Sequence, residues 1–260
     1  MKVAILAGGL GSRMGEETER RPKPMIEIGG RPVLWHIMRH YARFGHRDFV
    51  VALGHRGEVI RRWAAELATL GPAHLRVDLD RRTVEPIAED DDPALRGWRI
   101  ELRETGQGTE TGGRIRRLRD AIGRVRFMLT WGDGLSDVDL HALLAFHETH
   151  GRLATVTAVR PPARFGHLAL DGARVATFEE KPARAEGWIN GAFFVLEPAV
   201  FDFIEGDETR FEHGPLQRLA QEGELMAFRH EGFWHGMDTP RDRVALEAMW
   251  ASGRAPWIAS

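Results

Sequence analysis

The sequence predicts an α/β protein built on a doubly wound sheet, mixed but mostly parallel, with helices on both faces. The run VAILA (3–7) is apolar without a break and ends at Gly8 and Gly9, the pattern of a parallel strand covered on both sides. Beyond it, strand-like and helix-like segments alternate to the end of the chain, which argues for a sheet with binding sites at the carboxyl ends of its strands. The 260 residues, 43% apolar and 28% charged, suffice to bury a sizeable core.

Each element has a local reason. RPVLWHIMRHYARFG (31–45) reads as a helix, with Pro32 early, Leu34, Ile37, Met38 and Tyr41 on one face and Gly45 as the stop. DFVVALG (48–54) is the second strand and GEVIRRWAAELATLG (57–71) the next helix. HLRVDLD (74–80) and WRIELRET (98–105) read as strands on either side of the acidic loop AEDDDP (88–93). A short helix at RIRRLRDAIG (114–123) precedes the strand RFMLTWGDG (126–134), which runs into a Gly-Asp-Gly turn. A helix at VDLHALLAFHETHG (138–151), strands at LATVTAV (153–159), ARVATFEEKP (173–182) and WINGAFFVLE (188–197), and helices over 214–222 and 240–251 complete the chain. With no internal repeat or linker, residues 1–260 read as one domain.

Charge and composition exclude several functions. Lys plus Arg number 36 against 38 Asp plus Glu, a net charge of −2, too balanced for the broad basic footprint of a nucleic-acid binder. Any anion site is therefore local. The absence of cysteine excludes disulfides, thiolate metal sites and cysteine nucleophiles. The start, MKVAILAGG, holds five apolar residues between Lys2 and Gly8, too few for a signal peptide or a membrane span. A soluble, cytoplasmic protein with no membrane partner is expected.

The stretch LAGGLGSRMGEETERRPKP (6–24) carries the chemistry. Glycines after a strand end let backbone N–H groups close on phosphate oxygens, since no Cβ blocks the approach, and Gly8, Gly9 and Gly11 suit such a cradle. The spacing is not that of a P-loop, which needs Gly-Lys-Ser/Thr at a helix start, nor of a dinucleotide fingerprint. Arg13 offers a delocalised fork, and Lys23, between Pro22 and Pro24, a compact charge on an extended stem. Together they suit a triphosphate whose β and γ groups leave. A surface turn with solvated charges is the plainer alternative, and Arg13 with the Pro-Lys-Pro weighs against it.

Other constellations carry less. His36 and His40 stand four apart on a helix, as a metal pair would, but no third ligand follows, and packed or surface histidines are expected there and at His147 and His150. The arginines 114, 116, 117 and 119 read as a solvated helix face. Ser12 has no histidine partner to make it a nucleophile. Asp137, Asp139 and Asp242 read as caps or surface charges. Trp188 suits stacking on a sugar or base, although an aromatic beside a strand is expected in the core.

LAGGLGSRMGEETERRPKPMIEIGGRPVLWHIM (6–38) is similar to the start of the sugar-1-phosphate nucleotidyltransferases and looks most like their glucose-1-phosphate cytidylyltransferase branch. The resemblance continues through TGGR (111–114), GDGLSD (132–137), LATVTAVRPPARFG (153–166), FEEKP (178–182), GWINGAFFVLEP (187–198) and FWHGMDTPRD (233–242). Pieces of the first motif also resemble the molybdopterin nucleotidyltransferases, but the later motifs match the sugar branch.

The resemblance implies the Rossmann-like fold of the nucleotide-diphospho-sugar transferases, with CTP and α-D-glucose 1-phosphate as substrates, Mg²⁺ as cofactor and a homo-oligomer as the assembly. It places Leu6, Ala7, Gly8, Gly9, Gly11, Ser12, Arg13, Lys23 and Gly132 on the nucleoside triphosphate, with Thr105, Glu110, Gly112, Gly113 and Arg114 in the region that contacts the pyrimidine and its phosphates. It assigns Asp133 and Asp238 as the metal pair, two hard oxygen ligands that leave water and phosphate oxygens to complete an octahedron. The part from about residue 150 onward is implied to supply the sugar-phosphate side, with Lys181 on the phosphate and Glu180, Asn190 and Gly191 on sugar hydroxyls. Arg13, Lys23, Asp133 and Lys181 are the implied catalytic set.

Two departures stand out. Glu110 replaces a methionine usual in the family, where a carboxylate either accepts from an exocyclic amine, which cytosine has and uracil lacks, or points to solvent. His235-Gly236 stands where a polar residue and proline are expected, which bears on the loop shape. UTP, dTTP or another sugar phosphate remains an alternative, as does a catalytically silent nucleotide-sugar sensor, against which the joint presence of Arg13, Lys23, Asp133, Lys181 and Asp238 argues.

Overall fold

A computed structural model describes residues 1–69, 75–86, 95–161, 167–171, 173–179 and 187–258. In chain order, β1 (Lys2–Leu6) leads through a 3₁₀ turn at Ser12–Met14 to α1 (Glu16–Arg20), a second 3₁₀ turn at Lys23–Met25, β2 (Glu27–Ile28), β3 (Arg31–Pro32) and α2 (Val33–Arg43). β4 (Asp48–Leu53), α3 (Gly57–Thr69), the hairpin β5 (Leu75–Asp78) and β6 (Thr83–Pro86), and β7 (Arg99–Glu104) follow. The middle of the chain forms α4 (Thr111–Arg117), α5 (Arg119–Ile122), β8 (Phe127–Trp131), β9 (Gly134–Ser136) and α6 (Leu140–His150). The remainder forms β10 (Ala154–Val159), β11 (His167–Asp171), β12 (Arg174–Glu179), β13 (Ile189–Leu196), α7 (Pro215–Gln221), β14 (Leu225–His230), β15 (Trp234–Gly236) and α8 (Pro240–Ala251).

Seven strands make the central sheet, in the order β14-β10-β13-β8-β1-β4-β7. β1 pairs in parallel with β4 and β8, β4 with β7, and β10 with β14, while β13 runs antiparallel to both its neighbours. The sheet is therefore mixed and mostly parallel, as expected. Strand alternation divides its side chains between two cores. Val3, Ile5, Phe49, Val51, Met128, Phe193 and Val195 face α2, whose Leu34, Ile37, Met38 and Tyr41 complete that layer. Ala4, Leu6, Val50, Ala52, Phe127, Leu129 and Phe194 face α4 and α5 through Ile115, Leu118, Ala121 and Ile122. Each of the larger apolar side chains so buried contributes roughly 1.5–3 kcal/mol, which explains why VAILA shows no polar alternation.

Several elements differ from the sequence reading. α2 begins at Val33, because Arg31–Pro32 is spent on β3, and ends at Arg43, two residues before Gly45. The helix expected from Arg114 starts three residues earlier at Thr111 and breaks at Leu118 into α4 and α5. The two glycines of its first turn are there for close approach: a Cβ on Gly113 would lie 2.5 Å from the backbone of Asp207. β2, β3, β6, β9, β11, β14 and β15 were not expected; most are short, and β14 alternates weakly because it lies at the sheet edge. The acidic loop and the last residues of the helix predicted over 57–71 lie outside the described residues.

β2 and β3 are joined by Gly29 and Gly30, both at positive φ (59° and 72°), the requirement of a tight two-residue hairpin. The hairpin docks α8: Gly29 N–H donates to Glu247 (2.9 Å), and a Cβ on Gly29 would sit 2.1 Å from the indole of Trp250. Gly29→Ala is therefore expected to lower stability by about 1–3 kcal/mol through strain and overpacking. Urea denaturation with an unchanged slope and a shifted midpoint checks it.

Candidate active site

The carboxyl ends of β1, β4, β7 and β8 meet at one edge of the sheet. Gly132 N–H donates to Leu6 O (2.9 Å), Ala7 N–H to Ala52 O (3.0 Å) and Thr105 N–H to Leu53 O (3.0 Å), so the loops leaving these strands start side by side. The loops after β1, β7 and β8 enclose a cavity of about 470 Å³, lined by Leu6 to Arg13, Lys23, Pro24, Gln107 to Thr111, Arg114 and Trp131 to Asp133. Leu6, Ala7, Gly8, Gly9, Gly11, Ser12, Arg13, Lys23, Glu110, Gly132 and Asp133 are thus brought together around one space.

The glycines of the first loop have separate reasons. Gly11 has φ +64° and packs against Thr18 and the Cβ of Lys23, while Thr18 accepts the turn by donating to Gly15 O (2.9 Å) and Gly11 O (3.2 Å). Gly8 passes over the guanidinium of Arg114, which a Cβ there would meet at 2.3 Å. Nothing lies within 4 Å of the Cβ position of Gly9, which faces open space.

Lys23 is 7% exposed, and its stem is fixed in a 3₁₀ turn between two prolines. Its Nζ donates to Asp133 Oδ2 (2.6 Å) and to Asp238 Oδ1 (2.7 Å). Arg13 Nη2 meets the same Asp238 Oδ1 at 2.9 Å, and Arg243 on α8 pairs with Glu17 on α1 (2.6 Å). The two aspartates come together because β9 and β15 pair with Gly134 opposite Gly236, and Met237 N–H donates to Asp133 O (2.8 Å). The segment after Asp238 is held by a capping box between Thr239 and Asp242 that starts α8. His235-Gly236 supports this pairing: Gly236 sits in β15 beside Trp234, where a Cβ would lie 3.3 Å from the indole.

Two carboxylate oxygens within 2.7 Å of one cationic nitrogen reach a single cation-sized position with hard donors, which fits a divalent metal. Among the described residues no group of three or more His, Cys, Asp or Glu converges on such a point. The pair therefore leaves most of an octahedron to ligands from elsewhere.

The residues expected on the base side divide. Arg114, 4% exposed, donates to Thr105 Oγ1 (2.7 Å), Gly106 O (2.7 Å), Leu53 O (3.1 Å) and Gln107 O (3.3 Å). It is no solvated helix-face residue, in contrast to the sequence reading. Burial lowers its pKa, and Glu104 and Glu110 oppose that shift. Thr105 is buried and donates to Leu53 O (2.5 Å), so its hydroxyl is spent inside the protein. Gly112 and Gly113 donate their N–H groups to Thr209 O (2.9 and 3.2 Å) and pack on Asp207 and Thr209. Glu110 lies on the cavity wall and pairs with Arg210 (3.1 Å), so one of its oxygens is engaged by a cation at the rim of the cavity. Glu212, which no sequence signal marks, accepts from Thr111 (2.6 Å) and from the Trp131 indole (3.2 Å) and fixes two cavity-lining residues.

On the other side of the sheet edge, Asn190 Oδ1 accepts from Ala192 N–H (2.8 Å), Ala192 has φ +61°, and Gly191 O accepts from the Trp234 indole (2.8 Å). A Cβ on Gly191 would lie 2.7 Å from Val159. Glu180 and Lys181 lie outside the described residues. Trp188 is half-buried rather than core: the guanidiniums of Arg160 and Arg229 stand 4.6 and 5.7 Å from its ring centroid. They meet it at the sheet edge, where small Ala158 lies between β13 and β14.

The histidine pair is packed, as expected. His36 donates from Nε2 to Ile28 O (2.9 Å) and accepts at Nδ1 from the Trp257 indole N–H (3.2 Å), and burial lowers its pKa to about 4. Asp139 caps α6 and Asp242 caps α8. Asp137 is neither a cap nor a surface charge: it accepts from Phe233 N–H (2.7 Å) and from His230 (2.9 Å).

The model of the nucleotidyl transferase family matches residues 2–242. A glucose-1-phosphate cytidylyltransferase of Salmonella typhi is 46% identical over 264 aligned positions, which cover 99% of this chain and 98% of that protein. The crystal structure of a UDP-glucose pyrophosphorylase in complex with UDP-glucose superimposes with a TM-score of 0.70 at 14% identity, covering 97% of this chain and 99% of that one. HddC from Yersinia pseudotuberculosis gives 0.68 at 20% identity, covering 96% and 99%.

Asp137 yields a pH prediction. Burial raises its pKa, but the hydrogen bond and charge of His230 and the Phe233 amide outweigh it and hold the carboxyl below its usual range. A depressed carboxylate stabilises the fold above its unfolded pKa, near 4, and that contribution is lost as pH falls through the folded value. Asp137→Asn is expected to cost roughly 1 kcal/mol at neutral pH, the net worth of a hydrogen bond to a partly exposed charge. Denaturation of both proteins down to low pH should show the gap closing in that acid window.

Proposed function

The chain belongs to the nucleotidyl transferase family, and from that premise we propose that it transfers the cytidylyl group of CTP to α-D-glucose 1-phosphate, giving CDP-glucose and pyrophosphate. The observation that carries this reading is the convergence of Lys23, Arg13, Asp133 and Asp238 at the mouth of a glycine-walled cavity. The choice of CTP and glucose 1-phosphate is supported by the 46% identity to the Salmonella typhi relative.

A phosphate oxygen of the sugar phosphate attacks the α-phosphorus, a new P–O bond forms, and the bond to pyrophosphate breaks. The nucleophile is already an anion, so no general base is required and catalysis is positioning plus charge stabilisation. Gly8, Gly9, Gly11 and Ser12 offer backbone groups to the triphosphate, and Leu6, Ala7 and Gly132 shape the wall beside it. Arg13 and Lys23 neutralise the leaving pyrophosphate. Asp133 and Asp238 hold Mg²⁺, which when bound supplies positive charge at the phosphates. Lys181 orients the incoming phosphate, with Glu180, Asn190 and Gly191 toward the sugar. Glu110 lies on the base side, where Thr105, Gly112 and Gly113 support the wall from behind. One domain spanning residues 1–260, a homo-oligomeric assembly and a cytoplasmic location complete the reading; among the described residues no helix is long and apolar enough to cross a membrane.

Pyrophosphate release with Mg²⁺ and α-glucose 1-phosphate, run with CTP, UTP, dTTP, ATP and GTP in parallel, tests it. Release with CTP is expected. Lys23→Ala should lower turnover roughly 10²- to 10³-fold at saturating CTP, the scale of a lost preorganised charge. Undiminished turnover removes the assignment of Lys23. Release with UTP or dTTP instead overturns the base, and silence with all five nucleotides and other sugar phosphates favours the sensor reading.

A further inference from the structure

We propose that the Lys23 ammonium is the resident counter-cation of the Asp133–Asp238 pair, that it competes with divalent metal for that position, and that a triphosphate opens the position by drawing Lys23 to its own oxygens. The inference rests on the reading of the two aspartates as metal ligands, and goes beyond it in giving Lys23 a second station.

Lys23 Nζ lies 2.6 Å from Asp133 Oδ2 and 2.7 Å from Asp238 Oδ1, and it is largely shielded from water. A divalent metal of the magnesium type takes oxygen ligands at about 2.0–2.1 Å. It would use the same two oxygens from within the space the ammonium fills. The charges reinforce the exclusion. Lys23 and Arg13 together balance the two carboxylates, and Arg13 already shares the oxygen of Asp238 that Lys23 uses. A dication added beside an unmoved ammonium meets like charge in a partly desolvated site, where screening is weak.

The backbone permits the exchange. Pro22 and Pro24 and the 3₁₀ turn hold the Lys23 main chain, and its Cβ lies against Gly11, so the start of the stem stays in place. The three methylenes beyond Cβ supply rotatable bonds by which the ammonium can be redirected toward the cavity that Lys23 lines. The cavity that Lys23 lines is walled by Gly8 to Arg13, so a triphosphate seated there lies within that swing and offers the oxygens that replace the carboxylates. Because such coupling is reciprocal, the metal in turn strengthens the hold of Lys23 on the triphosphate by occupying the carboxylates that otherwise compete for its ammonium.

The test is Mn²⁺ binding to the whole protein without nucleotide, read from the electron paramagnetic resonance of free Mn²⁺. Wild type should bind weakly. Lys23→Met should bind on the order of tenfold tighter, within the usual range of such couplings, and Asp133→Asn added to it should abolish the gain. Lys23→Arg, which keeps the charge, should stay weak. If Lys23→Met binds no tighter than wild type while Asp133→Asn still weakens binding, the competition is overturned and the aspartate reading stands. If Lys23→Arg gains as much as Lys23→Met, the effect is packing and the proposal falls. If neither Asp133→Asn nor Asp238→Asn changes Mn²⁺ binding in any background, the metal-ligand reading itself fails. Lys23→Gln replaces Lys23→Met should thermal melting show the latter unfolded. Calorimetry of CTP binding in EDTA covers the second station: Lys23→Met should weaken it several-fold, and unchanged binding would overturn the transfer of Lys23 to the triphosphate.

Discussion

The bonds from one lysine to two aspartates bind three parts of the chain that lie 110 and 215 residues apart in sequence. The rest of the site is arranged around this junction. The first loop reaches it through the Pro22-Lys23-Pro24 segment, the centre of the chain through the turn after β8, and the C-terminal part through β15 and the cap of α8. A surface ion pair would contribute little, but here Lys23 is shielded, both its partners are hydrogen-bonded, and Arg13 and the Arg243–Glu17 pair close the same seam. Electrostatics at this point therefore decides where the loops sit.

A second junction lies beneath the cradle. Arg114 has no carboxylate within hydrogen-bond reach among its described partners and instead satisfies carbonyl oxygens of Leu53, Gly106 and Gln107. It fills the space that side chains at Gly8 and Gly54 would occupy. The glycine loop is thus supported from below by a rigid planar cation, and its amide groups need not collapse inward. Glu212 does the same for the far wall by tying Thr111 to Trp131. Buried polar groups so fully engaged favour a single arrangement of the cavity.

What could be read from the sequence is what depends on neighbours in sequence. VAILA, the glycines after it and the Pro-flanked Lys23 carry their meaning locally, and the central strands and α2 follow from apolar period. The helix start at Thr111 is invisible in the sequence because Gly112 and Gly113 read as a loop without their contacts to Asp207 and Thr209. β9 and β15, three residues each, have no period to detect, yet their pairing helps to set Asp238 beside Asp133. Spacing points to a solvated charge at Arg114 and a core residue at Trp188, since neither the burial of one nor the two arginines on the other leaves a trace in it. Glu212 and Arg210 act through partners about 100 residues away and have no local signature.

The reversed strand β13 has an evolutionary consequence. It stands between the parallel group β8-β1-β4-β7 and the pair β10-β14, and it enters the sheet at the edge where the other strands leave. The rims on its two sides are built from different stretches of chain, and the bond from the Trp234 indole to Gly191 O is a side-chain link between them. Gly191 and Ala192 are constrained, by the approach of Val159 and by a φ of +61°, whereas Asn190 lies outside the lining of the glycine-walled cavity and can vary without altering the contacts of Lys23. Such an arrangement leaves a lineage room to vary one rim of the sheet while the opposite rim keeps its charges.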